Sequence, residues 1–206
     1  MTLLNSLTDL IKYQAQSTSP TTIKAFKALV EAVAPAGGPT ASEEFLIWTL
    51  DHMLSLQVLR LGVHIRLANA TAVMLNEAAR QMLAVGANRK PVKMDVDLTR
   101  DTFAALVPED RQAAISFLEN LQADLSKLPI PFRNSSGFVR AVVSNLPLLT
   151  TFSCYSEWSG YGSSRLASPN RRKLESFPHS WQQVGYPGPA KGYPASRGFL
   201  FDKFTE

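Results

Sequence analysis

The sequence predicts a mainly α-helical protein: a compact helical body, residues 1–154, followed by a long, irregular C-terminal extension, residues 155–206, which we call the strap. Apolar residues recur at spacings of three and four over most of the body, which is the period of an α-helix. A hydrophobic fraction of 45% and a charged fraction of 18% are typical of a folded chain. The strap holds 10 of the 19 aromatic residues and 6 of the 11 glycines, a composition that indicates an aromatic, Gly/Pro-rich segment rather than regular helix or central strand.

Two helices are predicted near the start of the body. In "LLNSLTDLIKY", residues 3–13, apolar side chains form a single helical stripe. The second helix begins with Ser19 as N-cap and Pro20 at the first helical position, because these residue types favour a helix start. It is predicted to end at Pro35, which precedes a pair of glycines.

The most apolar segment predicts the central helix. Thr40 and Glu43 have the spacing of a capping box, and they precede "FLIWTLDHMLSLQVLRL", residues 45–61, which is apolar on more than one face. The alanine-rich residues 65–84 predict another helix, which ends near Gly86.

The rest of the body is also predicted to be helical. A short helix precedes Pro108, where a longer helix is predicted to begin and to continue to Leu128. Residues 129–137 form a predicted loop. Residues 138–155 are rich in β-branched side chains, but their length, their helical neighbours and Pro147 predict a kinked, buried helix rather than a strand. No apolar–polar alternation is long enough to predict a sheet.

The strap is expected to lie against a surface. A segment of about fifty residues with little regular structure is uncommon inside a compact domain. Its Trp, Tyr and Phe side chains would favour aggregation if they were exposed to water. The strap therefore packs either on the body of its own chain or on another protein, and its composition favours neither alternative.

Composition excludes several classes of site. Cys154 is the only cysteine, which excludes an internal disulfide, a cysteine-rich zinc site and an iron–sulfur cluster held by this chain alone. The net charge is +4, and the basic triplet Arg171–Lys173 is too small to predict a nucleic-acid surface. The first residues resemble no export signal, and no stretch reaches the ~20 apolar residues of a membrane span. We expect a cytoplasmic chain without direct membrane insertion.

The sequence contains no complete catalytic site. Asp51 and His52 could form an acid–base pair or supply one metal ligand, but neighbouring helical residues point about 100° apart, and no second histidine stands at a metal-binding spacing. A hydrogen-bonded structural histidine is the preferred interpretation. The glycine-rich "GYGSSR", residues 160–165, does not sit between a strand and a helix, so it is a weak signal for a phosphate site. We predict no catalytic, cofactor-binding or metal-binding residue in this chain.

Three segments resemble the gluconate 2-dehydrogenase subunit 3 family, the small subunits of flavin-dependent membrane dehydrogenase complexes. "TIKAFKALVEAVAPAGGPTA" resembles the opening helix of that family and its Gly/Pro loop. "TFAALVPEDRQAAISFLENL" resembles its F-x-x-L-x-x-x-x-R helix start, here Phe103, Leu106 and Arg111. "CYSEWSGYGSSR" and "SWQQVGYPGP" resemble its ending and are the most specific of the three. Between roughly residues 50 and 98 the likeness rests on helical character alone.

The resemblance implies a non-catalytic small subunit. Its partner would be a large glucose–methanol–choline type flavoprotein that binds FAD and oxidises a sugar, polyol or sugar acid. The small subunit would support the folding, stability or export of that flavoprotein. The strap would be the interface, since Trp and Tyr bury large areas at low entropic cost. The expected partner-binding residues are Tyr155, Trp158, Tyr161, Trp181, Tyr186 and Pro187.

Two other functions remain open at this point. One is a transient maturation chaperone that leaves the flavoprotein once FAD is loaded. The other is an independent enzyme that uses Asp51, His52 and residues of the strap. Family members that accompany exported enzymes typically carry a twin-arginine signal, which this chain lacks. The resemblance therefore implies either a cytoplasmic complex or a signal that has been removed.

Overall fold

A computed structural model gives the fold and describes residues 19–34, 41–54, 56–58, 63–92 and 97–188. They are mainly α-helical, as predicted. The helices are α1 (Pro20–Val33), α2 (Ser42–His52), α3 (Ala68–Ala84), α4 (Thr102–Ala105), α5 (Pro108–Glu119), α6 (Ser136–Val143), α7 (Asn145–Tyr155) and α8 (His179–Val184). A hairpin pairs β1 (Leu56–Val58) with β2 (Val63–Ile65), and 3-10 helices span Leu125–Lys127, Glu157–Ser164 and Pro169–Arg171. The helix predicted over residues 3–13 and the end of the strap, residues 189–206, lie outside the described residues.

Helix α1 begins where its sequence predicts. The Ser19 hydroxyl accepts a hydrogen bond from the Thr22 amide at 3.2 Å, and Pro20 occupies the first helical position. A cap of this kind contributes about 1 kcal/mol. Phe26 and Leu29 are fully buried, and α1 packs against α3 and α5. The apolar stripe seen in the sequence is thus the face that α1 turns to the core.

The prediction of one central helix over residues 45–61 is wrong beyond His52. Helix α2 ends there, and the chain turns into the antiparallel hairpin of β1 and β2. The triplets "LQV" and "VHI" alternate apolar and polar residues, which is the period of a strand. Ala41 precedes α2 with a φ of 70° and without a side-chain cap. Thr40, the first residue of the predicted capping box, lies outside the described residues.

Helix α3 is the centre of the fold, the position that the sequence analysis assigned to α2. It packs against α1, α2, α4 and α5, and 11 of its 17 residues are buried. Its alanines let neighbouring helices approach closely, while Met74, Leu75 and Met82 fill the core between them.

Helix α5 begins at Pro108 as predicted, but the predicted continuation to Leu128 is wrong. Leu121 follows the helix with a φ of 57°. The amides of Leu121 and Gln122 bond back to carbonyls in the last turn of α5 at 3.0 and 2.9 Å. This is a Schellman C-cap, in which glycine is the usual left-handed residue. Because leucine takes that position here, the sequence carries no recognisable stop signal.

The predicted kinked helix is present as α6 and α7, which meet at Ser144. Pro147 lies in the first turn of α7, where its missing amide breaks no intrahelical hydrogen bond. The predicted burial holds for one face only. Val143 and Leu146 lie in the core, but another face of α7 is exposed.

The first part of the strap packs on the body of its own chain. Trp158 is 2% exposed. Its ring lies edge-on to Phe45 with 5.5 Å between centroids, and 5.6 Å from the centroid of Trp48. Because Phe45 and Trp48 belong to α2, the strap is joined to the body at that helix.

Candidate functional site

The basic triplet Arg171–Lys173 is divided between the protein interior and solvent. The guanidinium carbon of Arg172 lies 4.4 Å from the ring centroid of Trp48, 5.1 Å from that of Trp158 and 5.9 Å from that of Tyr161. Such cation–π contacts contribute about 0.5–2 kcal/mol. The two flanking cations are exposed. The central arginine therefore anchors the strap to α2 instead of adding to a basic surface.

Tyr161 makes its polar contact within its own chain. Its hydroxyl donates to the Glu157 carboxylate at 2.6 Å. That hydrogen bond raises the pKa of Tyr161 above its ordinary value, and partial burial and the negative charge of Glu157 act in the same direction. The phenol is thus held neutral and half-buried beside Arg172, with its hydroxyl already bonded.

Helix α7 exposes an apolar stripe. Leu148, Phe152 and Tyr155 stand at spacings of four and three, so they share one helical face. Their side chains are 50%, 54% and 66% exposed, while Leu146 and Thr150 on another face are buried. A surface helix ordinarily turns polar residues to water. The packing of the described residues therefore gives no reason for this stripe to be apolar.

Helix α8 places a second aromatic group beside the end of α7. The centroid of the Trp181 ring lies 4.9 Å from that of Tyr186, edge-on, and 6.2 Å from that of Phe177. The Ser180 hydroxyl donates to the Tyr155 carbonyl at 3.4 Å and joins the two helices. We call both groups together the aromatic surface: Leu148, Phe152, Tyr155, Phe177, Trp181 and Tyr186.

The residues predicted to bind a partner lie in two environments. Four belong to the aromatic surface or adjoin it: Tyr155, Trp181, Tyr186 and Pro187. The other two, Trp158 and Tyr161, pack against α2 and Arg172 within this chain. Leu148 and Phe152 were not predicted to bind a partner, because their segment was predicted to be a buried helix. Their helical spacing to Tyr155 was the available signal.

Asp51 and His52 serve separate structural contacts. The buried Asp51 carboxylate accepts a hydrogen bond from the Ala68 amide, the first of α3, at 2.9 Å. An acceptor there stabilises the positive end of the helix dipole. The His52 ring stacks on Trp48 with 5.4 Å between centroids, and its Nδ1 lies 2.9 Å from the Trp48 carbonyl oxygen. His52 is hydrogen-bonded, as preferred from the sequence, but it is exposed.

The glycine-rich segment "GYGSSR" donates hydrogen bonds to a carboxylate further along the strap. The amide and hydroxyl of Ser163 donate to Glu175 at 3.0 and 2.6 Å, and these bonds lower the pKa of Glu175. The Gly160 carbonyl accepts from the Glu175 and Ser176 amides at 2.8 and 3.2 Å. A Cβ at Gly160 would come within 2.6 Å of the Ser176 carbonyl oxygen. Glycine is needed here for the close approach of two backbone segments.

No protein-family model, curated protein or solved structure matches this chain. Among the residues that the structure describes, no helix has both the length and the apolar character to cross a membrane. In the same residues, no three His, Cys, Asp or Glu side chains are grouped so that they could hold a metal ion.

Proposed function

We propose that this chain is a non-catalytic small subunit whose aromatic surface binds the FAD-containing catalytic subunit of a sugar, polyol or sugar-acid oxidoreductase. The observation that carries the proposal is the aromatic surface, five of whose six residues are at least 45% exposed. The kind of partner, a glucose–methanol–choline type flavoprotein, comes from the resemblance of the strap motifs and of Phe103, Leu106 and Arg111 to small subunits of such enzymes. FAD is expected on the partner.

The size and composition of the aromatic surface support a binding role. A large aromatic side chain covers about 150–250 Å², so five roughly half-exposed residues together with the less exposed Trp181 present on the order of 600 Å². That equals the upper end of the largest apolar patch on a typical monomer, about 300–600 Å². It also approaches the roughly 800 Å² that each partner contributes to a standard interface. Tyr and Trp are the residue types most often found at energetic centres of such interfaces.

The position of the strap supports binding without a large loss of entropy. Trp158 and Arg172 hold the strap on α2, and Ser180 joins α8 to α7. The rings of Trp181 and Tyr186 already contact each other. A partner would therefore meet side chains that are largely ordered, and ordering side chains is one of the main costs of association.

The test is co-expression with a glucose–methanol–choline type flavoprotein from the same genome, followed by purification through a tag on this chain. The proposal expects a yellow complex of defined stoichiometry, with the visible absorbance of flavin. Point substitutions are preferable to deleting residues 155–206, because that deletion also removes the buried Trp158 and would damage the body. Phe152→Ala and Tyr155→Ala truncate exposed rings and leave the core intact.

Each of these truncations is expected to weaken the complex by about 2 kcal/mol, roughly 30-fold in Kd. Val85→Ala is the matched control, since Val85 is an equally exposed apolar residue at the end of α3. Unchanged affinity in the Phe152→Ala Tyr155→Ala double variant would refute the aromatic surface as the interface. Recovery of this chain alone and colourless would refute the subunit role. Substoichiometric recovery with mature flavoprotein would instead favour a transient maturation chaperone.

A further inference from the structure

The described part of the strap ends on the aromatic surface itself. Gly185 caps the end of α8 with a left-handed φ of 64°, and the Tyr186 amide donates to the Trp181 carbonyl at 2.8 Å. A cap of this kind turns the chain back toward the helix that it ends. A Cβ built on Gly188, the last described residue, would lie 3.3 Å from Phe177 and 3.7 Å from Trp181. The chain therefore leaves the described structure beside two rings of the aromatic surface.

The sequence continues with a second apolar group. Residues 189–206 follow Gly188, and we call them the tail. Near its end, "GFLFDKF" contains four large apolar side chains: Phe199, Leu200, Phe201 and Phe204. Apolar groups of this size are ordinarily covered by other apolar surface, because exposed ones favour association. The tail thus calls for a surface of the kind at which the described strap ends.

The tail is long enough to reach α7. Phe199 stands eleven positions after Gly188, and a random-coil linker of that length has an end-to-end distance of roughly 18 Å. Helix α8 packs against α7, and the stripe from Leu148 to Tyr155 covers seven positions of α7, about 10 Å. A group tethered by so short a linker has an effective concentration in the millimolar range. Even a weak contact would therefore be largely formed within one chain.

The charge distribution suits an apolar occupant. None of the six residues of the aromatic surface is Asp, Glu, Lys, Arg or His, and α7 contains no charged residue. Residues 176–190, which include α8, contain no Asp, Glu, Lys or Arg either. An apolar segment can cover this surface without burying one of its charges, which would be costly. The surface also offers no charge that would attract a strongly acidic or basic occupant.

We propose that the tail covers the aromatic surface of its own chain, with Phe199, Phe201 and Phe204 against the stripe of α7 and the ring of Trp181, and that the flavoprotein displaces it. This inference rests on the proposed function, because it makes the tail a competitor for the same surface. Covering the surface before assembly limits self-association of the free chain. At an effective concentration of about 4 mM and an intrinsic Kd of about 1 mM, the tail weakens partner binding about fivefold.

The first test compares the wild type with a four-serine variant of the full chain. The variant replaces the apolar tail residues: Phe199→Ser, Leu200→Ser, Phe201→Ser and Phe204→Ser. The matched control keeps them and changes tail cations instead: Lys191→Ser, Arg197→Ser and Lys203→Ser. All three chains keep the full length, so a difference between the two variants reports on the apolar side chains.

NMR of these chains follows the indole resonance of Trp181 and the amide resonances of Phe152 and Tyr155. All three are expected to shift in the four-serine variant and to stay in place in the control. The indole resonance of Trp48, which packs beside Arg172, is expected to be the same in every chain. A shift confined to the first three resonances would place the tail on the aromatic surface.

A synthetic peptide of residues 189–206 tests the contact between separate molecules. Added to the four-serine variant, it is expected to return the Trp181, Phe152 and Tyr155 resonances toward their wild-type positions, with a Kd of about 1 mM. The same peptide with the four serines is the control. In a separate measurement, the four-serine variant is expected to bind the flavoprotein about fivefold more tightly than the wild type.

Several results would overturn the proposal. Identical Trp181, Phe152 and Tyr155 resonances in the wild type and the four-serine variant would show that the tail does not cover the surface. Shifts that grow with protein concentration would assign the surface to a second copy of the chain instead. Equal flavoprotein affinity in both chains would refute the competition. If no variant binds the flavoprotein, the proposed function fails, while the NMR comparison still decides whether the tail lies on the aromatic surface.

Discussion

Arg111 offers a demanding test of the packing described above, because a charged side chain lies in the core. It is 2% exposed. One terminal nitrogen donates to the Ala28 carbonyl at 3.1 Å and to Glu31 at 2.7 Å, and the other donates to the Ala104 carbonyl at 2.8 Å. A single side chain on α5 therefore joins α1 to α4. Replacing it by methionine keeps an unbranched, apolar stem, shorter than the arginine side chain, and removes all three hydrogen bonds.

The expected loss is about 3 kcal/mol in the free energy of unfolding. Each carbonyl left without its donor costs about 1–3 kcal/mol. The substitution also relieves the desolvation of the guanidinium, whose Nε has no partner, which offsets part of that cost. For a chain of this length, 1 kcal/mol corresponds to roughly 2–4 °C in Tm, so Arg111→Met is expected to melt about 6–12 °C lower.

Thermal and urea unfolding followed by circular dichroism provide the measurement. Glu31→Gln is the control, because the Glu31 side chain is 63% exposed, and an exposed partner contributes at most about 1 kcal/mol. A methionine variant as stable as the wild type would refute the reasoning. It would mean that apolar packing replaces the buried hydrogen bonds without loss, and that Arg111 is not needed to join the helices.

Three further predictions concern single residues. Trp158→Ala is expected to lose about 3–5 kcal/mol in urea unfolding of the isolated chain, whereas the exposed Tyr155→Ala stays within about 0.5 kcal/mol; equal losses would contradict the assignment of Trp158 to the core. Asp51→Ala removes the acceptor for the first amide of α3 and is expected to cost about 1–2 kcal/mol; unchanged hydrogen exchange of that amide would contradict this role. The pKa of Glu175 is lowered by its bonds from Ser163, so the stabilisation is complete above the ordinary value of 4.5 and is lost as pH falls through the lowered folded value. The NMR resonance of the Ser163 amide is expected to shift as pH falls. A shift that persists in Glu175→Gln would refute Glu175 as its cause.

The helix starts marked by proline were predictable because their signals are local. Ser19, Pro20 and Pro108 act through their own φ values and through the amides of the next few residues. Helix ends were less predictable. Helix α5 ends in a Schellman turn with leucine in the position usually held by glycine. Helix α2 ends at His52, and the residues that follow form the paired strands β1 and β2. The helical spacing of apolar residues continues past His52, so it does not reveal this pairing.

The candidate site was predictable in composition but not in orientation. The abundance of aromatic residues identified Tyr155 and Tyr186, which are exposed. The same reasoning selected Trp158, whose ring fills the space beside Phe45, and it passed over Phe152. Hydrophobicity alone does not distinguish an aromatic residue that anchors the strap from one that faces solvent, because the hydrophobicity of a side chain is the same in both positions.

By itself, the sequence determined the helical character of the body, the helix starts marked by proline and the aromatic composition of the strap. Each of these depends on a residue and its neighbours along the chain. Only the tertiary structure decided that Arg172 lies over the rings of Trp48 and Trp158, and that Phe152 and Tyr155 face outward. The physical reason is that burial is set by segments far apart in the sequence, since an apolar face is covered only where another element packs against it.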